Sequence, residues 1–179
     1  AQMTVQPEFL PTTRAEMEKA GYEELDILLV TGDCYVDHPS FGVSIIGRLL
    51  TGCGYRVGLV AQPDWRDPEA LKVMGRPRIG VGVTSGNMDS MVNIYTVGRR
   101  FRKDDCFSEN GETGRRPPHA LIVYAQLVRQ AFPGIRIQLG GLEASFRRIA
   151  HYDYWQDKLK RSVLLDSGAD ILIYGMGEH

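Results

Sequence analysis

Three short stretches of this 179-residue sequence gather residue types that can bind a ligand or move charge. Asp37-His38 sets a carboxylate beside an imidazole, which raises imidazole basicity and fixes its tautomer, as a metal ligand or general base requires. The plainer role of the pair is to organise a turn, with Asp37 and Ser40 ordering the backbone ahead of a helix. Ser85-Gly86-Asn87-Met88-Asp89-Ser90 offers small hydrogen-bonding groups and a glycine that lets a nucleotide or cofactor tail come close. Its Asp89-Ser90 is also an ordinary helix start. Gly140-Gly141-Leu142-Glu143 has the look of a phosphate-cradling turn, yet it matches neither G-x-G-x-x-G nor G-x-x-x-x-G-K-[ST]. A tight strand-to-helix turn beneath a ligand is the expected role.

The basic residues make a second group. Arg147-Arg148 can clamp a carboxylate or phosphate in bidentate fashion. Phe146 to Arg161 interleaves arginine and lysine with His151, Tyr152, Tyr154 and Trp155, a pattern that stacks bases and neutralises phosphates. The more usual reading of such a run is an amphipathic helix with a solvated basic face and an aromatic seam docking on another domain. Cys34, Cys53 and Cys106 are too far apart for a metal finger, and buried thiols are expected. A hydrolytic acid/base role for Asp37-His38 lacks a serine or cysteine on a nucleophile elbow. No residue is assigned as catalytic or metal-ligating.

Short apolar strands alternating with helices must position these stretches. Thr13 and Glu16 have capping-box spacing and Gly21 is a fitting stop, which predicts a short first helix. Asp26 to Thr31, Tyr55 to Ala61, Ile79 to Thr84, Ile135 to Leu139 and Ile171 to Tyr174 read as five strands. Between them, Ile45, Ile46, Leu49 and Leu50 predict one helical face, Ala120 to Ala131 a second, and Leu142, Phe146 and Ile149 a third. Gly80 and Gly82 in the third strand point to close approach of a packed helix or a neighbouring backbone. The polar stretch 85–118, carrying Arg99-Arg100-Phe101-Arg102-Lys103 and Arg115-Arg116, is a long insertion of the lid or binding-loop kind.

Strands on ~30-residue spacing imply an α/β fold, a doubly wound, three-layer, parallel five-stranded sheet of Rossmann-like or flavodoxin-like type. The order 2-1-3-4-5 places its switch point between strands 1 and 3. The crevice is then walled by the loops after Thr31 and Thr84, with Gly140-Gly141 as a third wall. Residues 1–22 are expected to form an extension with a short helix and 23–178 one domain. The terminal His179 reads as a tag residue on a fragment of something longer.

Composition narrows the partners. With 21 basic and 22 acidic residues the net charge of −1 gives no global pull toward nucleic acid or an anionic membrane. No apolar run approaches the ~20 residues of a membrane span and no secretory signal opens the chain, so the cytosol is the expected compartment.

Several phrases resemble a known family. Phe9-Leu10-Pro11-Thr12-Thr13-Arg14, Leu29-Val30-Thr31-Gly32-Asp33, Tyr35-Val36-Asp37-His38-Pro39-Ser40-Phe41-Gly42, Ala61-Gln62-Pro63-Asp64-Trp65, Gly86-Asn87-Met88-Asp89-Ser90-Met91, Gly140-Gly141-Leu142-Glu143-Ala144-Ser145 and His151-Tyr152-Asp153-Tyr154-Trp155 closely resemble the N-terminal region of YgiQ-type radical SAM proteins. The resemblance implies a cobalamin-binding-like domain ahead of a C-terminal radical SAM core, which carries a 4Fe-4S cluster and S-adenosylmethionine. Pro39 with Gly42, Gly140-Gly141, and Asp170 followed by Gly175, Gly177 and Glu178 fit it.

Two features depart from the pattern. The C-x-x-x-C-x-x-C loop that holds the cluster is not in this sequence. The corrinoid-ligating Asp-x-His-x-x-Gly is not met either, since Asp37 adjoins His38 and Gly42 lies four residues on; cobalamin held without a protein ligand stays open. The expected function is that of an accessory domain of a radical SAM iron–sulfur oxidoreductase, capping the core and helping to bind substrate or cofactor through Asp33, Asp37, His38, Ser85, Gly86, Asn87, Gly140, Gly141 and Glu143. Arg147, Arg148, Tyr154 and Trp155 are expected to contact an anion or partner. The alternative is a non-catalytic RNA- or protein-binding module using the insertion and the basic, aromatic helix.

Overall fold

Alternating side chains sort the strands into two faces, and the helices follow from that sorting. The structure, a computed structural model, describes residues 7–178; His179 and the first six residues of the N-terminal extension lie outside them. The strands are β1 (Ile27–Thr31), β2 (Val57–Ala61), β3 (Gly80–Thr84), β4 (Arg136–Gly140), β5 (His151–Asp153), β6 (Lys158–Lys160) and β7 (Ile171–Leu172). The helices are α1 (Arg14–Lys19), α2 (Gly42–Gly52), α3 (Ser90–Ile94), α4 (Ala120–Ala131), α5 (Gly141–Phe146) and α6 (Val163–Ser167).

A parallel five-stranded sheet runs β2-β1-β3-β4-β7, flanked by helices in a three-layer α/β arrangement. The fold and the strand order are those expected from the sequence, with β7 as the fifth strand. That strand is shorter than expected, stopping at Leu172 instead of Tyr174.

One face carries the main core. Leu28, Val30, Val81, Val83, Ile137 and Leu139 meet Leu121, Tyr124, Ala125 and Val128 of α4, and Met17, Leu71 and Met74 close the far side. The opposite face is thin: Leu29, Val57 and Leu59 pack on Leu10 and on Val43 of α2. Ile46 and Leu50 are only partly buried and Leu49 is exposed, so the predicted helical face of α2 is half satisfied. The amino-terminal edge is stapled by Asp26, whose carboxylate takes Arg56 Nε at 3.0 Å and Arg78 Nε at 2.9 Å. These guanidiniums hold the Asp26 carboxyl well below the usual carboxylate range.

Caps set the helix starts. Thr13 Oγ1 accepts from Glu16 N at 3.2 Å, while the Glu16 carboxylate turns to Thr12 N and Oγ1 and leaves the capping box half closed. Asp67 and Asp89 cap a 3-10 turn and α3 through their carboxylates.

Three expectations are corrected. No continuous helix covers Phe146 to Arg161; α5 ends at Phe146, and β5 and β6 form an antiparallel hairpin. Asp153 Oδ1 accepts from Trp155 N at 3.0 Å and Gln156 N at 2.9 Å, a local bond that competes with helix. The predicted third face therefore dissolves, leaving Leu142, Phe146 and Ile149 exposed. Cys53 and Cys106 are exposed and Cys34 is half-buried, because a helix C-terminus and the insertion surface carry them.

Candidate functional site

The loops after β1, β3 and β4 converge on the carboxyl rim of the sheet. Gly32 N donates to Thr84 O at 3.2 Å, which ties the first two loops at their roots. Asp33, 1% exposed, accepts from Asn87 N at 2.6 Å, and Asn87 Nδ2 reaches across to Ser40 O at 3.1 Å. Gly86 stands at φ +106 with its α-carbon against Asp33; a Cβ there would collide with the carboxylate. Gly141, at φ +85, packs on Thr84 Oγ1 in the same way. Gly140 differs, since its backbone is extended and a Cβ would meet nothing within 4 Å.

Beneath this rim a groove of about 600 Å³ runs along the thin face of the sheet. Its floor is Leu29, Gly80, Gly82 and Gln138, its walls are Ile46, Leu50 and Tyr55 on one side and Ile173 on the other, and Gly140, Gly141, Gly86 and Asn87 stand at its mouth.

The insertion is anchored through one buried arginine. Arg116, 2% exposed, pairs with Asp33 at 2.7 Å and Asp105 at 3.3 Å and donates to Ser85 O. Gln62 Nε2 adds bonds to Gly32 O at 2.9 Å and Ser108 Oγ at 2.6 Å. Burial pushes the Asp33 carboxyl up, against the pull of Arg116 and Asn87 N–H. Residues 85–118 are thus partly a structural clamp, and Arg115-Arg116 is no basic patch. The sequence does not single out Arg116 as a site residue because a double arginine reads as solvated, and the burial of Asp33 and Asp105 that it serves is visible only in the folded chain.

Several candidate residues are engaged elsewhere. Asp37 binds Arg48, while His38 Nδ1 accepts from Ser40 N at 3.1 Å, so the two side chains act separately and form no acid/base dyad. Ser85 Oγ is spent on Met88 O at 2.9 Å. Glu143, 1% exposed, leaves the groove altogether and accepts from Ser90 N at 2.7 Å between the starts of α3 and α4. Burial and the charge of Asp89 raise its carboxyl.

Arg147 is no anion clamp either: it forks onto Asp89 at 2.8 and 3.1 Å, with the Asp153 carboxylate 3.6 Å away. His119 lies 3.6 Å from Asp153, its imidazole pushed down by burial. Arg148 covers the Tyr174 ring, and Tyr154 carries the Arg99 guanidinium 4.7 Å from its centroid. Trp155 stacks edge-on against Tyr154.

The donors do not fit an iron–sulfur cluster or a histidine-ligated corrinoid. Cys34 lies in the loop after β1, Cys53 at the C-terminus of α2 and Cys106 in the insertion, and no group of three or more His, Cys, Asp or Glu among the described residues could hold a metal ion. Asp37, which would have to orient His38, is bound to Arg48. No helix among the described residues is long and apolar enough to cross a membrane.

The family model described as Radical SAM N-terminal matches residues 9–179. A UPF0313 protein of Rhodopseudomonas palustris is 61% identical over 170 residues, covering 95% of this chain and 25% of that protein. Those of Chromobacterium violaceum and Thermotoga maritima are each 57% identical over 95% of this chain, covering 22% and 30% of their lengths. The chain thus spans about a quarter of the length of these curated relatives. No solved structure matches. A parallel sheet whose loops meet at one rim, matched almost end to end by one family model, makes this chain a member of the Radical SAM N-terminal family, of the YgiQ type.

Proposed function

We propose that this domain is the non-catalytic front part of a radical SAM iron–sulfur oxidoreductase, packed on the cluster-bearing core of the same polypeptide and holding substrate or cofactor at its carboxyl rim. One observation carries the reading: three loops are locked together at the rim while the Gly140 α-carbon faces open space at the mouth of the groove. Backbone without a side chain on the carboxyl rim, on the strand next to a switch point, is what close approach of a ligand requires. The core, with its 4Fe-4S cluster and S-adenosylmethionine, would supply the radical. The residues of this chain would bind, orient and exclude water.

Gly140→Leu tests the rim. Gly140 has ordinary extended dihedrals and nothing within reach of a Cβ, so the fold tolerates the change while the mouth is blocked. The full-length protein and its variant are purified anaerobically, assayed for iron, and denatured to release bound small molecules. Four irons per chain and a released molecule absent from the variant are expected; no iron, or identical small-molecule profiles, would refute the reading.

The RNA-binding alternative loses its basic helix and one of its arginine pairs to the structure, as described above.

A further inference from the structure

We infer that the groove on the thin face of the sheet is the seat of an amphipathic helix contributed by the polypeptide that follows this domain in the full-length protein. The inference requires that the domain be the front of a longer chain, as in relatives of about four times its length, and it goes beyond the ligand at the rim.

The two faces are unequally covered. Connections from β3 through β4 to β7 place α4 and α6 on the main-core face, whereas α2 alone lies on the other, over β1 and β2. The bare strip over β3, β4 and β7 spans two strand spacings, about 10 Å, the diameter of one helix. Its length is that of a five-residue strand, about 17 Å, which an eleven-residue helix matches at about 1.5 Å per residue. Gly80 and Gly82 keep the floor low, since a Cβ would be 3.1 Å from Arg136 O at the first and 2.9 Å from Leu29 Cδ2 at the second, and both still line the open groove. Leu49, Tyr55, Ile79, Ile171 and Ile173 border the strip as exposed apolar residues, a patch of the kind that marks an interface.

The chain already turns that way. After Ile173 N bonds Leu139 O at 2.9 Å, Gly175 at φ +73 redirects the backbone and its N–H is held by Ser145 Oγ at 3.0 Å. Gly177 then lies over the groove, where a Cβ would be 3.1 Å from Ile173 Cγ2 and 3.9 Å from Ile46 Cδ1. A segment continuing from there starts at the rim beside α2 and runs down the bare strip. Its buried stripe would be apolar, with small residues over Gly80 and Gly82.

The test places a photoreactive benzoylphenylalanine at Leu49 or Tyr55 in the full-length protein, with Val92, exposed on α3 away from the groove, as the control. All three positions are exposed, so the fold tolerates them. After irradiation, peptide mapping is expected to join Leu49 and Tyr55 to one segment C-terminal to Glu178 of the same polypeptide, at residues three, four or seven apart, and Val92 to none of it. Adducts to a second copy, to a small molecule, or none at either groove position would overturn the inference. A small-molecule adduct would do so while leaving the rim reading intact, and identical profiles from Gly140→Leu would refute the rim reading alone.

Discussion

Arg116→Met tests whether the insertion is held to the rim by a buried ion cluster. The side chain is 1% exposed, with the Asp33 and Asp105 carboxylates at 2.7 and 3.3 Å. Methionine keeps most of the volume but leaves two buried acids facing one another without a cation. Breaking a buried pair from one side costs about 3–5 kcal/mol, roughly a hundredfold or more in the folding constant. Part of that cost is desolvated charge, so adding Asp33→Asn and Asp105→Asn should recover about half of it or more. The pH dependence has a definite sign: orphaned carboxyls are raised in the folded state, which then binds more protons than the unfolded chain, so the variant gains stability as pH falls from 7 toward 5. Urea unfolding reads the free energies, and limited proteolysis across 95–115 reads the release of the loop. A variant within about 0.5 kcal/mol of wild type, the scatter of neutral surface changes, with unchanged cleavage, would refute the clamp.

Two other substitutions test the supports of the site. Asp26→Asn should cost about 2 kcal/mol at neutral pH, a moderate value because Arg78 is largely exposed. The wild-type carboxyl is depressed by Arg56 and Arg78, so its contribution is full above the unfolded value of about 3.9 and fades as pH falls toward the folded one. Below pH 4 the variant's thermal midpoint should therefore vary less with pH than that of wild type. Glu143→Ala orphans Ser90 N–H, and Leu121 N–H at 3.5 Å, which should lower stability by about 2 kcal/mol; unaltered urea unfolding would show that Glu143 is not the joint between α3 and α4.

How much was legible in the sequence varies with the range of the interaction. Glycine and proline stops, N-caps and apolar runs act over a few residues, and they fixed the five sheet strands, α2 and α4, and the rim on which the loops after Thr31, Thr84 and Leu139 would meet. Local chemistry failed where a side chain had two outlets. Asp153 folded its own backbone into a turn and replaced the expected helix with β5 and β6.

The fate of charged residues was decided by tertiary structure alone. Arg116 and Arg147 look like their solvated neighbours in the chain, yet each is buried against aspartates 6 to 83 residues away. Asp37 chose Arg48 over the adjacent His38 because α2 brings the guanidinium to it. The uncovered face of β3 and β4 was likewise half written. Gly80 and Gly82 announced a close neighbour, which the flanking strands supply through Arg136 O and the Leu29 side chain, but only the assembled sheet showed which face lacks a helix, because alternation assigns residues to a face and packing determines whether that face is filled.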